Sequence, residues 1–426
     1  NLFTSNSYNV FELRADENND GGNDDIIFKF THDGTFRSEM RYDESSSTLE
    51  ISTADNRNDF SMDTDGKVTF AKDIATAQDY PNLKPTLDLN FTATANLDPR
   101  VTFTRIGSGS YYGRDGLLKF AAHNEPRFDH DPITRECKGL LIEEERTNYA
   151  YNSYRANNDY GGGGATYYDM GYNMINNAVT INDFGTAPDG TNTATKMYPA
   201  SSGNGRGIEY IFTAPSTGEY TNSIYVKAAG HTGWIALYGI NGGTRAYFNP
   251  TTGAKGSPSQ SSTPNAEDYD IQDVGNGWYR IHLTVNQSNL AASDYHYIYF
   301  SDADGSTNVT SSGTNGILMW GLQIEKGSFP TSYIRTDSNH RVIRGADQCF
   351  INGQDLTNFY NQSEGTIIAD YKVIQGDPEI FYLSDNSSSK RIGLYEAGSS
   401  QTRFIIGNMY LLPLKDLTKG PAKSVT

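Results

Sequence analysis

The chain has 426 residues, room for several domains at roughly 100–200 residues each, and a formal net charge of −17. That charge opposes approach to a phosphate backbone or an anionic membrane, and no apolar stretch nears the ~18 residues that span a bilayer, so nucleic acid and membrane insertion are excluded as partners. Hydrophobic residues reach only 36%, yet 29 Tyr and 42 Gly are present, a bias toward strands joined by tight turns and away from long helices.

Residues 1–75 read as short polar strands, with period-two alternation in Ile26-Phe28-Phe30 and Val68-Phe70 and hairpin signals at Asp33-Gly34 and Asp65-Gly66. So few apolar residues cannot close a core within one chain, and this thin region is expected to bury its stripe against other copies of itself. The segment IATAQDY before Pro81 suits a short helix or linker. Residues 76–154 form a second, antiparallel β unit, with Gly113-Arg114-Asp115-Gly116 as a hairpin turn and Asp131-Pro132 opening a wider one. After a tetraglycine, Gly161 to Gly164, residues 155–337 carry many short strands at even spacing with Gly, Pro and Asn between them, the pattern of an all-β sandwich, with jelly-roll topology preferred. Residues 338–426 begin a further sandwich whose few strands predict partner strands beyond Thr426, and a start at Asn1 rather than Met suggests a processed or partial chain. Cys137 and Cys349 encode no disulfide framework and read as two buried thiols, with a single bridge as the alternative.

Three stretches closely resemble modules of tail-fibre and virion-appendage proteins of tailed bacteriophages. They are SYYGRDGLLKFAAHNEPRFDHDPITRECKGLLIEEERTN with the Arg100-to-Ile106 strand before it, VGNGWYRIHLTV, and MWGLQIEKGSFPTSYIRT. The N-terminal FELRADENNDGGNDDIIFKF also resembles the strand-turn repeats of fibre shafts. The resemblance implies a carbohydrate-binding-module-like sandwich over 155–337, a concanavalin A or laminin G-like sandwich starting at FYNQSEGTIIADYKV, and a homotrimeric virion component. It implies other tail or capsid proteins and host-surface glycans as partners.

The acidic triplet Glu143, Glu144 and Glu145 invites a catalytic reading, because alternate residues of a strand stand ~6.6 Å apart on one side, within the range of glycosidase carboxylates. Nothing separates their pKa values, however, and Arg135 and Arg146 lie nearby, so a salt-bridged strand end is expected. Asp16, Asn18 and Asp20 match the first half of a calcium loop, but Ile27 stands where the closing bidentate glutamate belongs. Asp302 and Asp304 are equally short of ligands, and a calcium near Glu325 would rest on that one acid, so no metal or other cofactor is expected. The seven histidines are isolated, and no nucleophile elbow or phosphate loop occurs. Trp278 and Trp320 lie in apolar strands and read as core. Trp234, Tyr238 and Tyr247, with Asn241 and Arg245 beside them, are candidates for stacking on sugar faces, weighed against core or subunit interface. The expectation is a non-enzymatic host-recognition component of the virion; the alternatives are a tailspike-type polysaccharide depolymerase and a purely structural connector or capsid decoration.

Overall fold

A computed structural model describes residues 26–32, 35–43, 48–53, 58–62, 64, 68–70, 85–154, 172–240, 243–260, 266–288, 294–337, 340–361, 365, 367–372, 379–384, 391–397, 401–406, 409–411 and 423–425. Asp16, Asn18, Asp20, Asn241, the tetraglycine and IATAQDY lie outside them. The fold is all-β, with antiparallel pairing throughout its named strands.

The chain divides into two compact units, Asn1–Pro85 and Thr86–Thr426. In the first, β1 (Ile26–His32), β2 (Thr35–Asp43), β3 (Thr48–Thr53), β4 (Asn58–Met62) and β5 (Val68–Phe70) pair in sequence order as one meander. His32 pairs with Thr35 and Met62 with Val68; the turn signals Asp33-Gly34 and Asp65-Gly66 lie outside the described residues. Arg41 faces Glu50 across β2 and β3 and binds it through Nε at 3.1 Å, a cross-strand ion pair.

The second unit opens with β6 (Thr102–Thr104), β7 (Gly109–Tyr112), β8 (Leu118–Ala121), β9 (Phe128–His130), β10 (Cys137–Leu140) and β11 (Arg146–Asn148). β7 and β8 form a hairpin over Gly113-Arg114-Asp115-Gly116, closed by Gly113 N–H donating to Leu117 O, and Gly116 has the positive φ of +72° that such a turn needs. β9 and β10 are joined by the wide Asp131-Pro132 turn, whose Asp131 carboxylate accepts the N–H groups of Ile133 and Thr134.

The sandwich follows as β12 (Tyr172–Ile175), β13 (Ala178–Gly185), β14 (Ala194–Pro199), β15 (Gly203–Asn204), β16 (Gly207–Phe212), β17 (Gly218–Ala229), β18 (Trp234–Tyr238), β19 (Thr244–Asn249), β20 (Ala254–Gln260), β21 (Ala266–Asp273), β22 (Tyr279–Gln287), β23 (Asp294–Ser301), β24 (Asn308–Val309) and β25 (Gly316–Lys326). One sheet runs β12-β16-β23-β18-β19-β20 and the other β13-β14-β25-β17-β22-β21. Pairing is nested: β14 with β25, β16 with β23, β17 with β22, and β18 with β19, successive pairs falling on alternate sheets. A long antiparallel hairpin wound up in this way is a jelly roll. Its core interleaves Ile208, Ile235, Leu237, Phe248, Ile298 and Phe300 from one sheet with Met197, Ile224, Val226, Ile281, Leu283, Ile317 and Ile324 from the other. Each such side chain contributes about 1.5–3 kcal/mol relative to exposure, which is why the alternation legible in WYRIHLTV dictates which side faces in.

The chain then returns to the opening strands: β26 (Val342–Arg344) pairs with β11, and β27 (Gln348–Phe350) with β6. After a one-turn helix, Gly353–Thr357, come β28 (Ile367–Ala369), β29 (Glu379–Ser384), β30 (Arg391–Ala397), β31 (Gln401–Ile406), β32 (Met409–Leu411) and β33 (Lys423–Val425). The strands β29 to β32 form a four-stranded meander, and β28 pairs with β33. The cysteines depart from expectation. Cys349 lies in the exposed β27 edge ribbon, Cys137 is half-buried in β10, and both are free thiols, because each pairs in a narrow two-stranded ribbon with too little cover to bury it.

β25 shows how a local rule is broken for a global end. Ile317 and Met319 face the core and Leu318 and Trp320 the opposite side; strict alternation would then send Gly321 and Gln323 inward. Instead the register shifts opposite β17 at Gly321, which has φ +69°, so that Leu322 and Ile324 turn inward and Gln323 and Glu325 outward. A Cβ at Gly321 would meet the Tyr225 ring at 2.8 Å, whereas at Gly313, with φ +78°, it would meet nothing. Gly321→Ala is therefore expected to destabilise the chain by more than ~1 kcal/mol, and clearly more than Gly313→Ala, in chemical denaturation followed by tryptophan fluorescence.

Candidate functional site

The two outer faces of the sandwich differ. The face of β13-β14-β25-β17-β22-β21 is covered by the chain itself. Leu118, Tyr112 and Phe120 of the opening hairpin pack on Tyr225, Trp278, Trp320 and Tyr333. Trp278 and Trp320 are thus core residues, each 2% exposed, with indole N–H groups donating to Thr186 O and Thr193 Oγ1.

Beside this apolar seam lies a buried ionic knot containing the first of the three adjacent glutamates. These residues precede β11 in extended chain rather than belonging to a strand. Glu143 turns inward and meets Arg127 at 2.6 Å and Arg344 at 2.9 Å, and it accepts the Ser332 hydroxyl at 2.6 Å and the Ser332 N–H at 2.8 Å. Asp347 bonds both Arg127 and Arg105, and takes the Glu143 N–H at 2.8 Å. Arg105, Arg127 and Arg344 are all at most 1% exposed. Glu144 points outward and pairs with Arg146, and Glu145 is exposed. The salt-bridged arrangement is therefore present, but Glu143 takes Arg127 and Arg344, not the sequence neighbours Arg135 and Arg146. Burial alone would raise the pKa of Glu143; Arg344 and Arg127 outweigh it and hold the carboxyl down at about 2. A carboxylate so firmly ionised is unsuited to general acid work. Glu325, fully buried, is likewise occupied by donors from Gln323 Nε2, Thr331 N–H and the Thr331 hydroxyl. Asp302 accepts from Thr310, and Asp304 from Ser257 N–H. Among the described residues, no group of three or more His, Cys, Asp or Glu side chains is placed to hold a metal ion.

The opposite face, that of β12-β16-β23-β18-β19-β20, carries the sequence-named aromatics. Outward positions alternate with the core residues Ile235, Leu237, Phe248, Ile298 and Phe300, which brings Trp234, Tyr238, Arg245 and Tyr247 together on this side. Pattern reading missed Tyr295, Tyr297 and Tyr299 of β23, whose alternation in DYHYIYFS was the available signal. Cross-strand register sets Glu209 opposite Tyr297, and Tyr238 opposite Arg245. Tyr238 meets Tyr297 edge-on at 5.5 Å and Tyr299 at 5.0 Å, while Tyr295 and Tyr297 are parallel to within 6°, with ring centres 6.2 Å apart. Tyr238 and Tyr247 are buried at 5% and 0% exposure; Tyr295 is exposed, and Trp234, Tyr297 and Tyr299 are half-buried. Gly256 makes room for the indole, since a Cβ there would meet Trp234 at 2.7 Å and Tyr247 Cβ at 2.9 Å.

Arg245 rests on both buried phenols. Its Nε–H donates to Tyr247 Oη at 2.8 Å and its Nη1–H to Tyr238 Oη at 2.9 Å, with the guanidinium carbon 5.3 Å and 5.9 Å from the Tyr238 and Tyr247 ring centres. Burial and then the Glu209 carboxylate raise the Tyr297 phenol to about 12, so it stays a hydroxyl donor at neutral pH. Beneath the face, the Tyr238 carbonyl accepts from Asn222 Nδ2 at 3.0 Å and from His296 Nδ1 at 2.8 Å, tying the two sheets together. Burial holds the His296 imidazole down at about 4.

No protein-family model and no curated protein matches the chain. The tripod (BppUct-A-L) from the baseplate of bacteriophage Tuc2009 is a similar solved structure, at 12% identity over 78% of this chain and 99% of that one. Its TM-score of 0.21 is too low to carry an argument about this protein.

Two buried groups contribute to the acid stability. The folded pKa of Glu143 lies below its unfolded value near 4.5, so its contribution is complete above that value and is lost as pH falls toward about 2. His296 is depressed from 6.5 to about 4, so its neutral form favours the fold above 6.5 and protonation erodes stability as pH falls through that window. Denaturation midpoints should decline from about pH 6.5 downward, most steeply below pH 4.5. Glu143→Gln leaves the buried guanidinium groups of Arg127 and Arg344 without their shared carboxylate, and should cost about 3–5 kcal/mol at pH 7 while flattening the acid limb.

Proposed function

We propose that this chain is a non-enzymatic structural component of a phage virion appendage, which recognises host-surface glycans through the open aromatic face of its jelly roll and does so as a homotrimer. The observation that carries the glycan reading is the asymmetry of the sandwich. One outer face is closed by the chain's own hairpin and ionic knot, while the other presents Trp234, Tyr295, Tyr297 and Tyr299 beside polar groups. Sugar rings offer flat C–H faces to such side chains while hydroxyls and carboxylates take the sugar hydroxyls, a shallow form of the mostly apolar site with a few placed polar groups. Placement in a phage virion, alongside other tail or capsid proteins, rests on the resemblance of the 100–150 and 275–336 stretches to phage appendage modules. The non-enzymatic reading is supported by the ion-paired state of Glu143.

The trimer reading is supported by the thin, apolar-poor N-terminal strands, which gain from burial between copies, and by the avidity that several weak sites on one axis obtain through effective concentration. Native mass spectrometry is expected to show three copies of the 47.0 kDa chain; a monomer at micromolar concentration would overturn this. On arrays of surface polysaccharides from candidate hosts, the oligomer should bind without releasing reducing ends, and Trp234→Ala with Tyr297→Ala should weaken binding by ~10-fold or more, since each stacked ring contributes on the order of 1 kcal/mol. Reducing-end release would favour a depolymerase, and unchanged host attachment by the double variant a purely structural connector.

A further inference from the structure

The open face carries an unmatched cation. Arg245 bonds two neutral phenols, and among the described residues no carboxylate lies within ion-pairing distance of it. A guanidinium has five N–H donors; two are engaged by Tyr247 and Tyr238, which leaves three on a half-buried group at the surface of the face. Three arginines of the buried knot are treated differently, since Arg105, Arg127 and Arg344 pair with acids, while Arg280, which among the described residues also lacks an acid, is covered on the closed face and bonds Ser223 and the Thr331 carbonyl. Arg245 is also held firmly against two buried rings, so the entropy lost on gripping a ligand is small.

Cross-strand register extends this into a row. Glu209, Tyr297, Tyr238 and Arg245 lie on adjacent strands β16, β23, β18 and β19, about 4.8 Å apart at each step, so an acid and a base stand at opposite ends of the row with tyrosines between them. We infer that this face selects saccharides bearing a carboxylate, with Arg245 as the residue that reads the acid group and Tyr297 and Tyr299 as the platform for the sugar ring. The inference deepens the glycan-recognition reading and rests on it. Guanidinium and carboxylate match in shape as well as charge, and a charge-assisted hydrogen bond is roughly twice as strong as a neutral one. The net charge of −17 does not forbid this, because at physiological ionic strength charges beyond ~8 Å are screened while a contact pair persists. It favours isolated uronic-type carboxylates over a dense polyanion.

The test uses the full chain and a panel of uronic-acid-containing capsular polysaccharides, each immobilised beside its carboxyl-reduced neutral counterpart. Wild type should prefer the acidic member of a bound pair by ~10-fold or more. Arg245→Gln should abolish that preference while retaining binding to the reduced form, Arg245→Lys should keep part of it, and Tyr297→Ala should weaken both. Equal binding of acidic and reduced forms by the wild type would overturn the inference and leave glycan recognition standing, as would a preference that survives Arg245→Gln. Absence of binding to every member, acidic and neutral, would overturn glycan recognition itself. Ligand reduction is independent of the protein variant, so a folding defect in Arg245→Gln cannot mimic either result.

Discussion

The arrangement of the larger unit depends on a set of buried charges that must all be matched. Arg105, Arg127 and Arg344 are removed from water, and each would be very costly alone; Glu143 and Asp347 offset that cost only because both sit among them, with Ser332 and backbone groups taking the remaining hydrogen bonds. The members come from the opening strands, from the segment after β25, and from β26 and its sequel. A cluster of this kind tolerates little displacement, since losing one partner leaves an uncompensated charge in a low dielectric. It therefore locks β26 and β27 onto β11 and β6 and holds the opening hairpin against one side of the sandwich.

Closing that side has a consequence for the other. A two-sheet sandwich has two outer faces, and the covered one is filled by Trp278, Trp320, Tyr225 and the knot. Among the described residues, the remaining outer face carries a cluster of tyrosines around Trp234 and Arg245. Tyrosine suits this position, being rigid, apolar along its ring and polar at its tip. Tyr238 and Tyr247 are buried and hold Arg245, while Tyr297 and Tyr299 are half-buried beside them and Tyr295 is exposed. Residues that would look alike in composition thus divide into a supporting layer and a presenting layer.

Much of this was legible beforehand where the physics is local. The hairpin over Gly113-Arg114-Asp115-Gly116, the wide turn at Asp131-Pro132, the buried Trp278 and Trp320 and the all-β class of the sandwich follow from turn chemistry and period-two patterning. Trp234, Tyr238, Arg245 and Tyr247 share one face because they lie on neighbouring, paired strands that are close in the chain. Tyr295, Tyr297 and Tyr299 were missed because β23 reaches the same face only after the chain has wound back across the sandwich. The cysteines were misjudged because burial was assumed for thiols that sit in narrow ribbons.

Alternation along a strand and the demands of a tight turn act over two to four residues, so residue order alone was enough to dictate strands, turns and an all-β class. Which carboxylate meets which guanidinium is another matter. Glu143 lies far from Arg344 in the chain, and its place as a buried anchor rather than a surface acid depends on strands brought together by folding. The same holds for Gly321, whose positive φ corrects the parity of β25 against a neighbouring strand. Contacts between distant segments are chosen by the closing of the whole core, and no local pattern encodes them.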